Sequence, residues 1–218
     1  MKKFTENGSE FETYEAVVIG TSSGGMDALT TLLSLLSDTL VLPAIIVQHM
    51  HPHSDDFLAR HLHEICQLTV KQAEEKEPIA PGVVYIAPAN YHLLLEVDKT
   101  FSLSNTERVN YARPSIDVLF ETAADVYGAK LIGVILTGAN NDGSQGLRII
   151  KECGGLTIVQ DPATAEADSM PKAAIEATTV DYVLSLQEIG VLLNTIGGEL
   201  NVPHASSLAS HTRAGFPP

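Results

Sequence analysis

The chain has 218 residues, 44% hydrophobic and 18% charged: enough for one self-supporting core and too apolar for disorder across most of its length. With 13 Lys and Arg against 27 Asp and Glu, the formal charge of −14 argues against nucleic acid as a partner, since no basic patch interrupts it. No apolar run reaches membrane-spanning length, and the polar stretch from Met1 to Thr13 has no hydrophobic signal segment, so a cytoplasmic protein without membrane insertion is expected.

Strand-like and helix-like segments alternate along the chain. Ala16 to Ile19 is a short, β-branched-rich run that flows into Gly20-Thr21-Ser22-Ser23-Gly24-Gly25. Met26, Leu29, Leu32, Leu33 and Leu36 then recur at helical spacing. Pro43 to Gln48 is a second predicted strand, followed by a helix carrying Phe57, Leu58, Leu62 and Ile65. Val83 to Ala87, Tyr91 to Val97 and Thr100 to Leu103 leave no room for helices between them, which predicts an antiparallel extension of the sheet. A helix through Ile116, Leu119, Phe120, Ala123 and Tyr127 leads to Leu131–Leu136, apolar enough for a parallel strand buried on both faces. Further segments are a helix from 143 to 152, a strand from Leu156 to Val159, a helix from Met170 to Ala177, a strand from Tyr182 to Leu184 and a helix through Ile189, Leu192, Leu193 and Ile196. Cys66 and Cys153 each close a helical segment, which predicts reduced core thiols rather than a disulfide.

This alternation implies parallel strands joined by right-handed crossovers. The expected fold is α/β, a doubly wound, mostly parallel sheet with helices on both faces and a short antiparallel extension. Its expected limits are an N-terminal extension over 1–14, one folded domain over 15–198 and an irregular tail over 199–218. In such sheets ligands bind beyond the carboxyl ends of the strands, where strand order reverses. The residues just past each strand are therefore the candidates for chemistry.

Three strand ends stand out. After the first, the glycine-rich turn holds Ser22 and Ser23 near the positive end of a helix dipole. It is neither a dinucleotide fingerprint nor a phosphate loop. By itself it reads as an anion-binding turn or a helix cap by Ser22 or Ser23, as well as a site for a nucleophile. After the second comes Gln48-His49-Met50, and an imidazole, which titrates near about pH 6.5, can serve there as general base. After the long apolar strand comes Asn140-Asn141-Asp142-Gly143, which reads as a turn or cap, or as the carboxylate that orients the imidazole. Ser22, His49 and Asp142 together compose a candidate hydrolytic triad. Backbone N–H groups of the glycine-rich turn (Ser23, Gly24) or of Ala139 are candidate oxyanion donors.

The runs Val17-Val-Ile-Gly-Thr-Ser-Ser-Gly-Gly25, Val47-Gln-His-Met50, Val84-Tyr-Ile-Ala-Pro88, Arg113-Pro-Ser-Ile-Asp-Val-Leu-Phe120, Val134-Ile-Leu-Thr-Gly138 with Asn141-Asp-Gly143, and Gln160-Asp-Pro-Ala-Thr164 with Met170-Pro171 occur in that order. Over about residues 15 to 196 the chain resembles the catalytic domain of the chemotaxis receptor methylesterases, the CheB-type protein-glutamate methylesterases. The resemblance implies a serine hydrolase that removes methyl groups from glutamate methyl esters on receptor helices, releasing methanol, and that in many members also deamidates receptor glutamines. It implies Ser22 as nucleophile, His49 as base and Asp142 as its partner. It calls for no cofactor or metal.

Several positions depart from the family pattern. Ala139 and Asn140 stand where methionine and a second glycine are usual, Ser23 replaces a threonine, and Ser169 replaces a glycine before Met-Pro. If the usual glycine had positive φ, Asn140 is among the residues that tolerate it best. Family members often carry an N-terminal receiver domain, which segment 1–14 cannot hold. Either phosphorylation plays no part, or a separate response-regulator chain supplies control, or the sequence is truncated. Methylated receptor helices are the expected partner, although −14 repels glutamate-rich surfaces at long range, and Arg60 and Arg113 are candidate contact cations. Two rival functions remain open. His51-Pro-His53-Ser-Asp55-Asp56, with His61 and His63 nearby, resembles a metallohydrolase segment, and a receptor-binding domain without catalysis is the other.

Overall fold

The computed structural model describes residues 14–198. In chain order the elements are β1 (Ala16–Thr21), α1 (Gly25–Leu35), β2 (Ala44–Gln48), α2 (Phe57–Ile65), β3 (Thr69–Gln72), β4 (Val83–Ile86), β5 (His92–Leu95), β6 (Phe101–Ser104), α3 (Ile116–Tyr127), β7 (Leu131–Ile135), α4 (Ser144–Glu152), β8 (Leu156–Gln160), α5 (Ser169–Ala177), β9 (Tyr182–Leu184) and α6 (Leu186–Gly197). A seven-stranded sheet has the order β3-β4-β2-β1-β7-β8-β9, and every pairing within it is parallel. β5 and β6 form a separate antiparallel pair.

β1 and β7 are buried along their whole length because they lie at the middle of the sheet with helices on both faces. Successive side chains alternate between two layers of core. Val17, Ile19, Ile46, Ile132 and Val134 join Leu29 and Leu33 of α1, Leu62 of α2 and Leu193 of α6. Val18, Ile45, Val47 and Ile135 join Phe120 of α3, Leu147 of α4 and Ala174 of α5, together with Leu93 and Phe101 of the small ladder. The doubly wound architecture expected from the alternating segments is therefore present.

The antiparallel extension is smaller than expected. β4 is not part of it: Val84, Tyr85 and Ile86 pair in parallel with β2 and are buried on both faces. The chain passes from β3 to β4 through 73–82 without a helix, so spacing alone misassigned the strand. β3 itself carries no alternating apolar signal, since Thr69-Val-Lys-Gln buries only Val70 and lies at the sheet edge, where a lysine suits it. The cysteines close α2 and α4 as expected and are free, but Cys66 is half-buried and Cys153 is exposed. A helix C-terminus facing solvent, not the core, is where Cys153 falls. The extension over 1–13 and the tail over 199–218 lie outside the described residues.

Candidate active site

β2, β1 and β7 are neighbours and run in one direction, so their carboxyl ends share one rim of the sheet. The chain fills the sheet on one side of β1 with β2 to β4, then crosses to build β7 to β9 on the other. This reversal opens a crevice at the rim. Ser22 follows β1, His49 follows β2, and Asp142 lies in the turn between β7 and α4.

The turn after β1 is held from both sides. The Ser22 N–H donates to the Thr137 carbonyl at 3.0 Å, and the Gly25 N–H donates to the Ser22 carbonyl at 2.9 Å. Gly24 has φ of 75°, and a Cβ at Gly25 would strike the Gln48 amide, so the tight turn needs both glycines. Neither serine caps α1; its N-cap is Gly24, without a side-chain hydrogen bond. Gln48 ties this turn to the next strand end, its Nε2 donating to the carbonyls of Ser22 at 2.9 Å and His49 at 2.8 Å. Its Oε1 is buried without a hydrogen-bond partner among the described residues.

Asp142 is fully buried and caps a helix other than its own. The N-cap of α4 is Gly143, with φ of 92° and no side-chain cap, while the Asp142 carboxylate turns to the N-terminus of α3. Its Oδ2 accepts the Ile116 N–H at 2.7 Å, and its Oδ1 accepts the Asp117 N–H at 3.2 Å and the Ser115 hydroxyl at 2.9 Å. The fourth protein donor is Asn110 Nδ2, 3.1 Å from Oδ1. His49 completes the set, with Nε2 at 2.8 Å from Oδ2 and its side chain only 13% exposed. Burial alone raises the Asp142 pKa, but the hydrogen bonds from His49, Asn110 and Ile116 outweigh it and hold the carboxyl below the usual range. An ionised carboxylate at a helix N-terminus is also favoured by the helix dipole.

A second buried carboxylate stands behind the first. Asp117 accepts the Gly146 N–H at 2.7 Å and, from the same Asn110 nitrogen that serves Asp142, a hydrogen bond at 2.7 Å. Burial pushes its pKa up to about 6, and the negative Asp142 adds to the rise. The two carboxylates are thus shifted in opposite directions, Asp117 upward by burial and Asp142 downward by its hydrogen-bond donors.

Ser22, His49, Asn140, Arg108, Tyr111 and Arg113 line one cavity of about 350 Å³. Among the described residues no hydrogen bond joins Ser22 Oγ to His49. His49 Nδ1 instead lies 3.2 Å from Asn140 Nδ2. The N–H groups of Ser23, Gly24 and Ala139 meet no acceptor among the described residues. Asn140 has no positive φ, so the conformational demand considered for this position does not arise. Arg113 lines the cavity, but its guanidinium is engaged by the Asn105 and Thr106 carbonyls at 2.7 Å each and by Asn90 at 2.8 Å. Arg60 pairs with Asp56 at 2.6 Å on α2, outside the residues that line the cavity.

The histidine-rich segment does not converge. The His53 N–H donates to His51 Nδ1 at 3.3 Å, Asp55 accepts the Phe57 N–H, His61 stacks on Phe57, and His63 accepts the Val70 N–H. Among the described residues no three metal-binding side chains gather. Sequence reasoning passed over Asn110, Ser115 and Asn140 as neighbours of the triad residues. The run Arg113-Pro-Ser-Ile-Asp117 was a usable signal for two of the groups around Asp142, Ser115 and Asp117, though its spacing says nothing about facing a distant aspartate.

Residues 17–193 match the family model described as CheB methylesterase. The chain belongs to the CheB methylesterase family. It is 61% identical over 179 residues to a Leptospira interrogans protein provisionally named a protein-glutamate methylesterase/protein-glutamine glutaminase, covering 82% of this chain and 93% of that one. A Thermotoga maritima protein-glutamate methylesterase/protein-glutamine glutaminase is 40% identical over 176 residues, 79% of this chain and 51% of that protein. This CheB-family chain therefore spans nearly all of the first relative and about half of the second. Its fold matches the crystal structure of the Thermotoga maritima CheB methylesterase catalytic domain with a TM-score of 0.81 and 38% identity, covering 84% of this chain and 99% of that one.

Proposed function

We propose that this chain is a serine-type methylesterase that hydrolyses glutamate methyl esters on chemotaxis receptor helices in the cytoplasm, and deamidates receptor glutamines by the same acyl transfer. The relatives named above carry both activities in their names. The observation that carries the reading is the 2.8 Å contact of His49 Nε2 with the buried Asp142 carboxylate, at a rim where Ser22 opens onto the same cavity.

In this mechanism Asp142 keeps the imidazole proton on Nε2, leaving Nδ1 as the base that faces the cavity. As His49 Nδ1 takes the Ser22 proton, Oγ attacks the ester carbonyl and the N–H groups of Ser23, Gly24 or Ala139 receive the oxyanion. The C–O bond to the methoxy group then breaks, and the leaving oxygen takes the proton from Nδ1 to give methanol. Water, deprotonated by the same nitrogen, hydrolyses the acyl-enzyme to a glutamate carboxylate and free Ser22. With glutamine the leaving group is ammonia. Arg108, exposed at the cavity edge, and Tyr111, 95% exposed beside it, are the side chains we assign to contact with the acidic receptor helix.

The test is release of labelled methanol from methyl-labelled receptor membranes by the full chain, with and without a strong chelator. Release that survives chelation is expected. Absence of release, or its loss on chelation, contradicts the proposal.

A further inference from the structure

Asn140 occupies the nitrogen that the proposed mechanism needs. Its Oδ1 accepts the Asp142 N–H at 3.1 Å. That N–H can only donate, which fixes the amide orientation and turns Nδ2 toward His49 Nδ1, 3.2 Å away. Nδ2 also can only donate, so Nδ1 accepts, and the ring proton lies on Nε2 against Asp142. The imidazole is thereby held in the tautomer of a general base while its one lone pair is engaged. Ser22 Oγ, on the same cavity, has no hydrogen bond to it.

We propose that Asn140 is a resting-state latch on the base: its amide competes with the Ser22 hydroxyl for His49 Nδ1 and must swing away before the serine can be deprotonated. The inference rests on the reading of Ser22 and His49 given above. Once Nδ1 carries the serine proton, an N–H would face the Nδ2 hydrogens, two donors against each other. Asn140 therefore favours the neutral ring and opposes the activated one. The other charged or titratable groups around the ring are Asp142 from the turn after β7, Asp117 of α3 behind the Asn110 amide, and Arg108, Tyr111 and Arg113 from the segment before α3; Glu166 lies against the Ser22 turn at Gly24. Asn140→Ala removes the acceptor of the Asp142 N–H together with the donor to His49 Nδ1, whereas Asn140→Asp keeps an acceptor for that N–H.

The experiment compares the parent with Asn140→Ala, Asn140→Asp and Ser22→Ala, following methanol release against pH and the His49 Nδ1 resonance by nitrogen NMR. Asn140→Ala is expected to raise kcat/KM at pH 8 by roughly three- to tenfold, the size of one neutral hydrogen bond. Its acid limb moves to higher pH, because the charged ring no longer faces a donor. Asn140→Asp, the same size and able to accept from Nδ1–H, moves that limb further still and serves if the alanine variant does not fold. The parent Nδ1 signal is that of an unprotonated acceptor, and it shifts when Asn140→Ala removes the donor. An unchanged or lower kcat/KM in Asn140→Ala, or an acid limb unmoved in both variants, overturns the latch. Turnover surviving in Ser22→Ala would refute the triad reading instead, and the Nδ1 resonance then decides the latch contact alone.

Discussion

The Ile116 N–H and the Asp142 carboxylate meet at 2.7 Å, so the group that faces His49 is also the anion at the N-terminus of α3. Ser115, the N-cap of that helix, makes no side-chain cap of its own and points its hydroxyl at the same carboxylate. Helix start and imidazole orientation are thereby one structural fact. In Asp142→Asn an amide nitrogen must face at least one N–H donor in either orientation. We predict a fall in kcat of about 10³–10⁴-fold through loss of the correct tautomer. The same change costs about 1–3 kcal/mol of stability from the unpaired helix donors. Methanol release and urea unfolding measure the two. A variant that loses activity at full stability would contradict the shared role.

The two buried carboxylates make opposite contributions to pH-dependent stability. Asp117 has its pKa raised from 3.8 to about 6, so folding takes up a proton in this interval and stability falls as pH rises from about 4 through 6. The size is on the order of 3 kcal/mol. Asp142, lowered, contributes stability above the ordinary carboxylate range that is lost as pH falls through its depressed value. Asp117→Asn is predicted to flatten the loss between pH 4 and 7 while leaving the acid decline. Chemical unfolding at pH 4, 5, 6 and 7 checks it, and parallel curves for parent and variant would refute the assignment.

Arg108 lies at the cavity edge of a chain of formal charge −14 and forms no ion pair among the described residues. Removing it takes away a local attraction for a glutamate-rich helix. Arg108→Ala is predicted to raise KM for methylated receptor several-fold at low salt with kcat little changed, and the difference shrinks as salt screens it. A KM indifferent to the substitution across that range would remove Arg108 from the contact.

Sequence periodicity carried most of this architecture because the elements around the site bury continuous apolar faces. Leu131–Ile135 and Ala16–Thr21 are buried throughout and could only be central strands. β3 escaped because an edge strand with Lys71 and Gln72 need not be apolar, and β4 was misplaced because a loop replaced the crossover helix. At the site, the three strand-end residues were legible from position alone. Their surroundings were not. Asn110 reaches both Asp117 and Asp142 from a turn in which it has φ of 50°, and no local pattern announces that a turn residue will bridge two carboxylates. Asn140 was visible as a departure from the family, but its consequence is a hydrogen bond to the base rather than backbone strain.

The most direct test of the central claim is the methanol-release rate of Ser22→Ala against the parent, on the same receptor membranes and with unfolding curves confirming that both are folded. The account predicts a loss of at least about a thousandfold, the scale seen when a nucleophile is removed from an intact triad. A rate within a few-fold of the parent would contradict it.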